Sequence, residues 1–127
     1  MILLLLAFGI LNGVIYSDNR LYKELPLSAN ALKGQKIWQE NNCFSCHQLY
    51  GLGGYLGPDL TNIHSIKGKE YVKAMLNSGI GAMPKFNFSE QEKEWIAAYL
   101  EAVDRTGFYP NKDAVFSPEG WVEIKTK

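Results

Sequence analysis

The stretch NNCFSCHQLYGLGGYLGPDL, Asn41 to Leu60, holds both cysteines of the chain and one of its two histidines. Cys43-Phe44-Ser45-Cys46-His47 reads C-x-x-C-H. At that spacing two thiols add across the two vinyl groups of a haem, and the histidine that follows falls beneath the iron. Zinc is the first rival, but a closed site takes four Cys or His ligands. No second pair of such residues is present, and His64 supplies only one more. A redox C-x-x-C belongs in a βαβ pattern, and nothing here alternates strand with helix. A disulfide between Cys43 and Cys46 would close a very short, strained loop. The motif is therefore read as the attachment site of one covalent c-type haem, on Cys43 and Cys46, with His47 as an axial ligand.

A second axial ligand is then expected, a thioether or another imidazole. The candidates are Met1, Met75, Met83 and His64. Met83 lies in SGIGAMPKF, between glycines and a proline, where no regular helix forms and the side chain can be aimed at a flat ring. Met75 sits in the helical pattern EYVKAMLNS and reads as core filler. His64, polar-flanked in TNIHSIKG, reads as a surface histidine. Met83 is the expected ligand, because His/Met ligation raises the potential and suits electron transfer. With both axial positions filled the iron offers no place to a substrate, so a conductor of electrons is expected rather than a reaction centre.

The 127 residues suffice for one small domain. Thirteen basic and thirteen acidic residues cancel, which gives no general attraction to nucleic acid or anionic lipid. A soluble part of about 100 residues is small for a self-sufficient core, and a haem would supply a large apolar insert.

The N-terminus is different material. MILLLLAFGILNGVIY carries no charge over residues 1 to 16, and then SDNRLYKE turns polar. As a helix the apolar run is about 24 Å long, against a hydrocarbon core of ~30 Å. It lacks the basic start of a signal peptide, and the Ala29-Asn30-Ala31 match to A-x-A stands beyond a charged stretch. Residues 1–25 are read as a transmembrane anchor and juxtamembrane segment, its first turn lying upstream or its span completed by partner helices. Tyr16, Arg20, Tyr22 and Lys23 fall where interfacial residues settle.

Residues 26–109 read as an all-α domain. Ser28 is the expected N-cap of a helix over 29–42, with Ala31, Leu32, Ile37 and Trp38 as its apolar stripe and Gly34 either a place for another helix to approach closely or simply a weak spot in the helix. Residues 48–68 read as irregular loop. A second helix fits 68–79, with Tyr71, Val72, Met75 and Leu76 on one face and Gly79 as its stop. The last opens at Ser89 and Glu92, a capping box. Its stripe is Trp95, Ile96, Tyr99, Leu100 and Val103, with Glu90, Glu94, Glu101 and Asp104 toward solvent. Residues 110–127, with Pro110, Pro118 and Gly120 among aromatics, read as an extended tail lying against a surface.

C-x-x-C-H after a helix, G-P-D-L beginning at Gly57, the Met83-Pro84 loop and a final amphipathic helix together resemble class I cytochrome c. That resemblance covers about residues 29 to 106. After the N-terminal transmembrane helix read above, it implies a class I cytochrome c-like helical haem domain, Pro58 accepting a hydrogen bond from His47, and first and last helices crossing near Gly34 and Tyr99. GQKIWQENNCFSCHQLYGLGGYLGPDLTN more closely resembles the membrane-anchored cytochrome c subunit of bacterial nitric oxide reductase. The likeness implies His47 and Met83 as axial haem ligands, and an interface Ca²⁺ taking ligands from Gly53 and Tyr55 in the Gly-x-Gly-x-Tyr loop. It also implies a non-catalytic electron-transfer subunit, single-pass in the bacterial inner membrane, with its haem domain on the periplasmic side. The implied partners are a large membrane-embedded catalytic subunit of the haem-copper type and a soluble donor such as a small cytochrome c or a cupredoxin. An oxygen-reducing terminal oxidase or other respiratory complex is the alternative partner, and a free membrane-tethered carrier is the second alternative.

Overall fold

The computed structural model describes residues 1–17, 27–111, 114–120 and 122–123. The arrangement of the haem domain starts from two helices. α2 spans Ala29–Glu40, and the Ser28 hydroxyl at its N-cap accepts from the Ala31 amide at 3.1 Å. It ends two residues short of the expected stop because Asn42 turns left-handed, with φ 52° and ψ 36°, a conformation asparagine tolerates. One 3₁₀ turn, Cys43–Ser45, follows at once. α5 spans Glu90–Thr106 and opens with the expected capping box: Ser89 N–H donates to Glu92 Oε2 at 2.8 Å, and Glu92 N–H donates to Ser89 Oγ at 3.3 Å.

α2 and α5 meet backbone to backbone. A Cβ on Gly34 would fall inside the carbonyl group of Trp95 and 2.9 Å from the Cβ of Tyr99. Around this crossing Ile37 and Trp38 of α2 join Ile96, Tyr99 and Leu100 of α5 in one buried cluster. The short α4, Lys69–Ser78, completes the cluster with Val72 and Leu76 and stops at Gly79, whose positive φ of 62° no L side chain favours. Leu32, expected to face inward, is exposed.

Residues 48–68 hold more structure than expected. β1, Gln48–Leu49, pairs antiparallel with β2, Leu52–Gly53, placing Gln48 opposite Gly53 and Leu49 opposite Leu52. Tyr50 and Gly51 form the turn, both at positive φ, as a two-residue hairpin requires. α3, Ile63–Lys67, is a single short helix. Its N-terminus explains a further correction: Asp104, expected in solvent, is only 4 % exposed. Its Oδ2 accepts from the Ser65 amide at 2.6 Å and its Oδ1 from Asn62 Nδ2 at 3.2 Å. A carboxylate there takes up donors that a helix start leaves unpaired. In the tail β3, Val115–Phe116, pairs antiparallel with β4, Val122–Glu123. The all-α reading is thus amended to a mostly helical domain with two small ribbons.

α1, Ile2–Ser17, is exposed along nearly its whole length. The side chain of Asn12 folds back to donate to the Phe8 carbonyl at 2.8 Å, leaving apolar surface on all sides. Among the described residues no helix is long and apolar enough to cross a membrane. The helix within the expected anchor is 16 residues long. Arg20, Tyr22 and Lys23, expected at a membrane interface, lie outside the described residues.

A ladder of charge joins α4 to α5. Lys73 Nζ lies 2.9 Å from Glu94 and 3.4 Å from Glu90, and Lys93 lies 2.7 Å from Glu90. The Lys93 amine holds Glu90 below the ordinary carboxylate value, as the Lys73 amine does Glu94. Carboxylates depressed in this way stabilise the fold above the unfolded value of 4.5, and the contribution disappears as pH falls through the folded values. Lys73→Met is expected to flatten that acid limb of a stability-against-pH curve. An unchanged limb in urea titrations from pH 6 downward would remove the ladder's role. Gly34→Ala should destabilise the domain by about 1–3 kcal/mol or more, since the added carbon meets rigid backbone, as chemical denaturation would read.

Candidate haem site

A cavity of about 450 Å³ opens beside the α2–α5 crossing, with walls that are almost entirely apolar. Trp38 of α2, Ile63 of α3, Val72 and Leu76 of α4, and Ile96 and Leu100 of α5 all border it. Cys43, Cys46, His47, Pro58 and Met83 reach the same space. Gly53 and Tyr55 do not border it, and Tyr55 is 85 % exposed. Met75, read as core filler, is also part of the wall. His64 stands elsewhere, on α3, with Nε2 3.9 Å from Glu101.

The turn that carries the C-x-x-C-H residues is tightly wound. His47 N–H donates to the Cys43 carbonyl at 2.9 Å, and Cys46 N–H to the same carbonyl at 3.2 Å. Both cysteines are free of disulfides. Burial pushes the Cys43 thiol up to about 11, so it is held neutral, in surroundings that suit an uncharged thioether equally well. The His47 ring is placed from its far side. Nδ1 lies 2.9 Å from the Pro58 carbonyl, and a carbonyl only accepts, so Nδ1 carries the proton and Nε2 keeps its lone pair free for a metal. Gly57 leaves room for this: a Cβ there would come within 2.6 Å of Nδ1. Trp38 backs the ring at 6.3 Å between centroids.

Met83 is presented by a tight loop. Ile80 and Met83 exchange both backbone hydrogen bonds, at 3.2 and 2.9 Å, and Gly81 turns between them at φ 56°. Gly79 packs against the loop so closely that a Cβ would lie 2.7 Å from the Met83 carbonyl. An imidazole with a free lone pair, a thioether and two thiols three positions apart therefore share one apolar cavity. That donor set fits a covalently held, axially ligated haem and no common metal site of the closed N/S type.

A model of the family described as cytochrome C oxidase, cbb3-type, subunit III matches residues 29–100. The chain belongs to this family. It carries a cytochrome c domain, and a cytochrome c domain holds its haem covalently. The cytochrome is also similar to the C subunit of nitric oxide reductase from Stutzerimonas stutzeri, 29 % identical over 124 residues, covering 84 % of this chain and 85 % of that one. The corresponding nitric oxide reductase protein of Paracoccus denitrificans is 29 % identical over 115 residues, 78 % of this chain and 77 % of that one. That of Halomonas halodenitrificans is 25 % identical over 103 residues, 70 % and 69 % of the two chains.

The glycine-rich loop of the cytochrome folds back over the C-x-x-C-H turn. Gly54 N–H donates to the Phe44 carbonyl at 2.8 Å and Gly57 N–H to the Cys46 carbonyl at 2.7 Å. Cβ atoms at Gly53 and Gly54 would fall inside the carbonyls of His47 and Ser45. Close backbone approach, more than flexibility, explains these glycines. Asp59, Thr61 and Asn62 fasten this loop from behind, and no local signal in the sequence marks that role, because partners such as Tyr50, Gly51 and Asp104 come from other segments of the chain. Thr61 is fully buried, and its Oγ1 accepts from the Tyr50 amide at 2.7 Å.

Gly57→Ala would push a methyl group into the His47 ring. The expected outcome is a loss of His47–Pro58 bonding and a drop in covalently haem-loaded cytochrome of about tenfold, the scale of losing a ligand-orienting partner. Pyridine haemochrome assay of the purified variant measures it, and full loading with an unaltered spectrum would contradict the geometry.

Proposed function

We propose that this electron-transfer cytochrome delivers electrons to the catalytic subunit of a nitric oxide reductase. The observation that carries the reading is the single apolar cavity that unites Cys43, Cys46, His47 and Met83. The nitric oxide reductase relatives, alike over most of the chain, support the choice of partner. Cys43 and Cys46 would hold one haem through thioethers, and His47 Nε2 and Met83 Sδ would supply the ligands of its iron. A c-type haem, when bound, takes up and gives away one electron at a time without changing its ligands. The chain's own residues bind the group, orient the imidazole through Pro58 and exclude water with an apolar wall. They offer no open position to a substrate, so the chemistry on NO belongs to the partner. Residues 26–109 form the haem domain, with 110–127 as a tail against its own or a partner's surface.

Attachment to the bacterial inner membrane, with the haem domain on its periplasmic side, belongs to the same proposal. The apolar, all-round exposed α1 is about 24 Å long, and neighbouring helices of the partner complete its passage. A small cytochrome c or a cupredoxin is the proposed donor. Ca²⁺ at the interface takes oxygen from Gly53 and Tyr55, a hard ion for which a carbonyl is a suitable ligand. Tyr55 and its neighbours Leu52 and Leu56 are all exposed, which leaves this loop available to a partner.

A second reading is favoured by the matched family's description as an oxidase component: the same cytochrome would then feed an oxygen-reducing partner. Purification from native membranes in mild detergent separates the two. Haem b and non-haem iron without copper, with NO consumption, mark the reductase. Copper with oxygen consumption marks the oxidase, and a cytochrome that arrives alone is a tethered carrier. Met83→Ala is expected to lower the haem potential and to admit CO to the ferrous iron. A spectrum unchanged under CO would remove Met83 from the iron.

A further inference from the structure

The hydrogen bond that orients His47 ends on the carbonyl of Pro58, and the next residue is Asp59. Its carboxylate is used twice. Oδ2 accepts from the Gly51 amide and Oδ1 from the Thr61 amide, each at 2.8 Å. Gly51 is the second residue of the β1–β2 turn. A two-residue hairpin leaves the amides of its two turn residues without a strand partner. Here Thr61 Oγ1 takes the first, from Tyr50, and Asp59 takes the second. Leu60 N–H donates to the Gln48 carbonyl at 2.9 Å, and Gln48 pairs with Asp59 as an isolated parallel bridge.

The imidazole of His47 therefore hangs between two stretches of chain. One is the backbone at residue 47 that leads into β1, and the other is the Pro58 carbonyl. The Asp59 side chain ties the hairpin turn to the 58–61 segment. Both of its oxygens are committed to backbone amides.

We propose that Asp59 is a positioning residue for the haem, holding the Pro58 carbonyl against His47 Nδ1 and so fixing both the plane of the imidazole and its electron donation to the iron. The inference rests on His47 being the proximal ligand, as proposed above. A well-made bond from Nδ1–H to a carbonyl raises the basicity of a ligating imidazole. A more basic imidazole favours ferric over ferrous iron, so the clip holds the potential down. Loosening it raises the potential.

The test uses the full haem-loaded chain with Asp59→Asn, Asp59→Glu and Thr61→Val. Asn keeps one acceptor but places an NH₂ against an amide; Glu keeps the charge and displaces both oxygens; Val removes only the hydroxyl that holds Tyr50 N–H. Redox titration gives the potential, and NMR of the ferrous protein gives solvent exchange of the His47 Nδ1 proton. Both Asp59 variants should change the ferric-to-ferrous ratio at fixed ambient potential about tenfold, which is about 59 mV for one electron, and should speed the exchange. Thr61→Val should lower thermal stability and leave both readouts in place. A shift in Asp59→Asn alone, with Asp59→Glu unchanged, would assign the effect to charge and overturn the proposal. Equal shifts in all three variants would reduce Asp59 to general loop stability and overturn it as well. Hyperfine-shifted His47 ring signals in the ferric wild type check the ligand assignment separately: their absence would be a failure of that assignment, visible before any variant is made.

Discussion

The contact on which this domain depends is the one at Gly34, where α2 lies against the carbonyl of Trp95 and the Cβ of Tyr99 with no side chain between them. Two helices pressed together at that point have little freedom of rotation, because the ridges on either side must interlock. Everything that meets the haem is positioned from there. The turn carrying Cys43, Cys46 and His47 begins after only two residues, Asn41 and Asn42, beyond the end of α2. Ile96 and Leu100, one turn apart on α5, form the opposite wall. α4 adds Val72 and Leu76 to the same cluster. The cavity is what remains between three helices too few to close over their own apolar faces.

A domain this small has a thin core, and the structure compensates with backbone-directed polar contacts away from the cavity. Asn62 is the busiest of them. Its Nδ2 donates to the Gly107 carbonyl at 2.8 Å and to Asp104, while its Oδ1 accepts from the Tyr109 amide at 2.8 Å. One side chain thus joins the start of α3, the end of α5 and the residues just after it. Tyr50 works alongside it from a conformation that costs a non-glycine residue about 1 kcal/mol or more. The aromatic ring offsets this by packing edge-on against Tyr109 at 6.2 Å, with its hydroxyl bonded to Thr106. An asparagine would fit the turn with less strain, but it would leave the end of α5 without that contact.

The parts legible in the sequence were those with a local physical signature. Ser28 and the Ser89–Glu92 pair mark helix starts because a hydroxyl must satisfy amides that have no partner in the helix. Val72 with Leu76, and Ile96 with Leu100, mark buried faces by their spacing. C-x-x-C-H fixes the attachment turn, and the Met83 loop is marked by the glycines and proline that exclude a helix. What escaped was of two kinds. The β1–β2 pair and α3 are too short to show a period, so their residues read as loop. Asp104 was misplaced for a different reason: charge predicts solvent, and only the neighbouring chain, arriving at Asn62 and Ser65, turns a carboxylate at that position inward. Asp59 likewise has no signature of its own, since its two partners come from either side of it in sequence.

The half-buried position of Cys43 has a consequence for the acidity of its thiol. The burial that raises its thiol to about 11 exists only once the helices have closed around the cavity. In the open chain the same thiol has its ordinary acidity, near 8.5, and is reachable from every side. The closed fold thus carries a smaller share of thiolate at Cys43 than the open chain does.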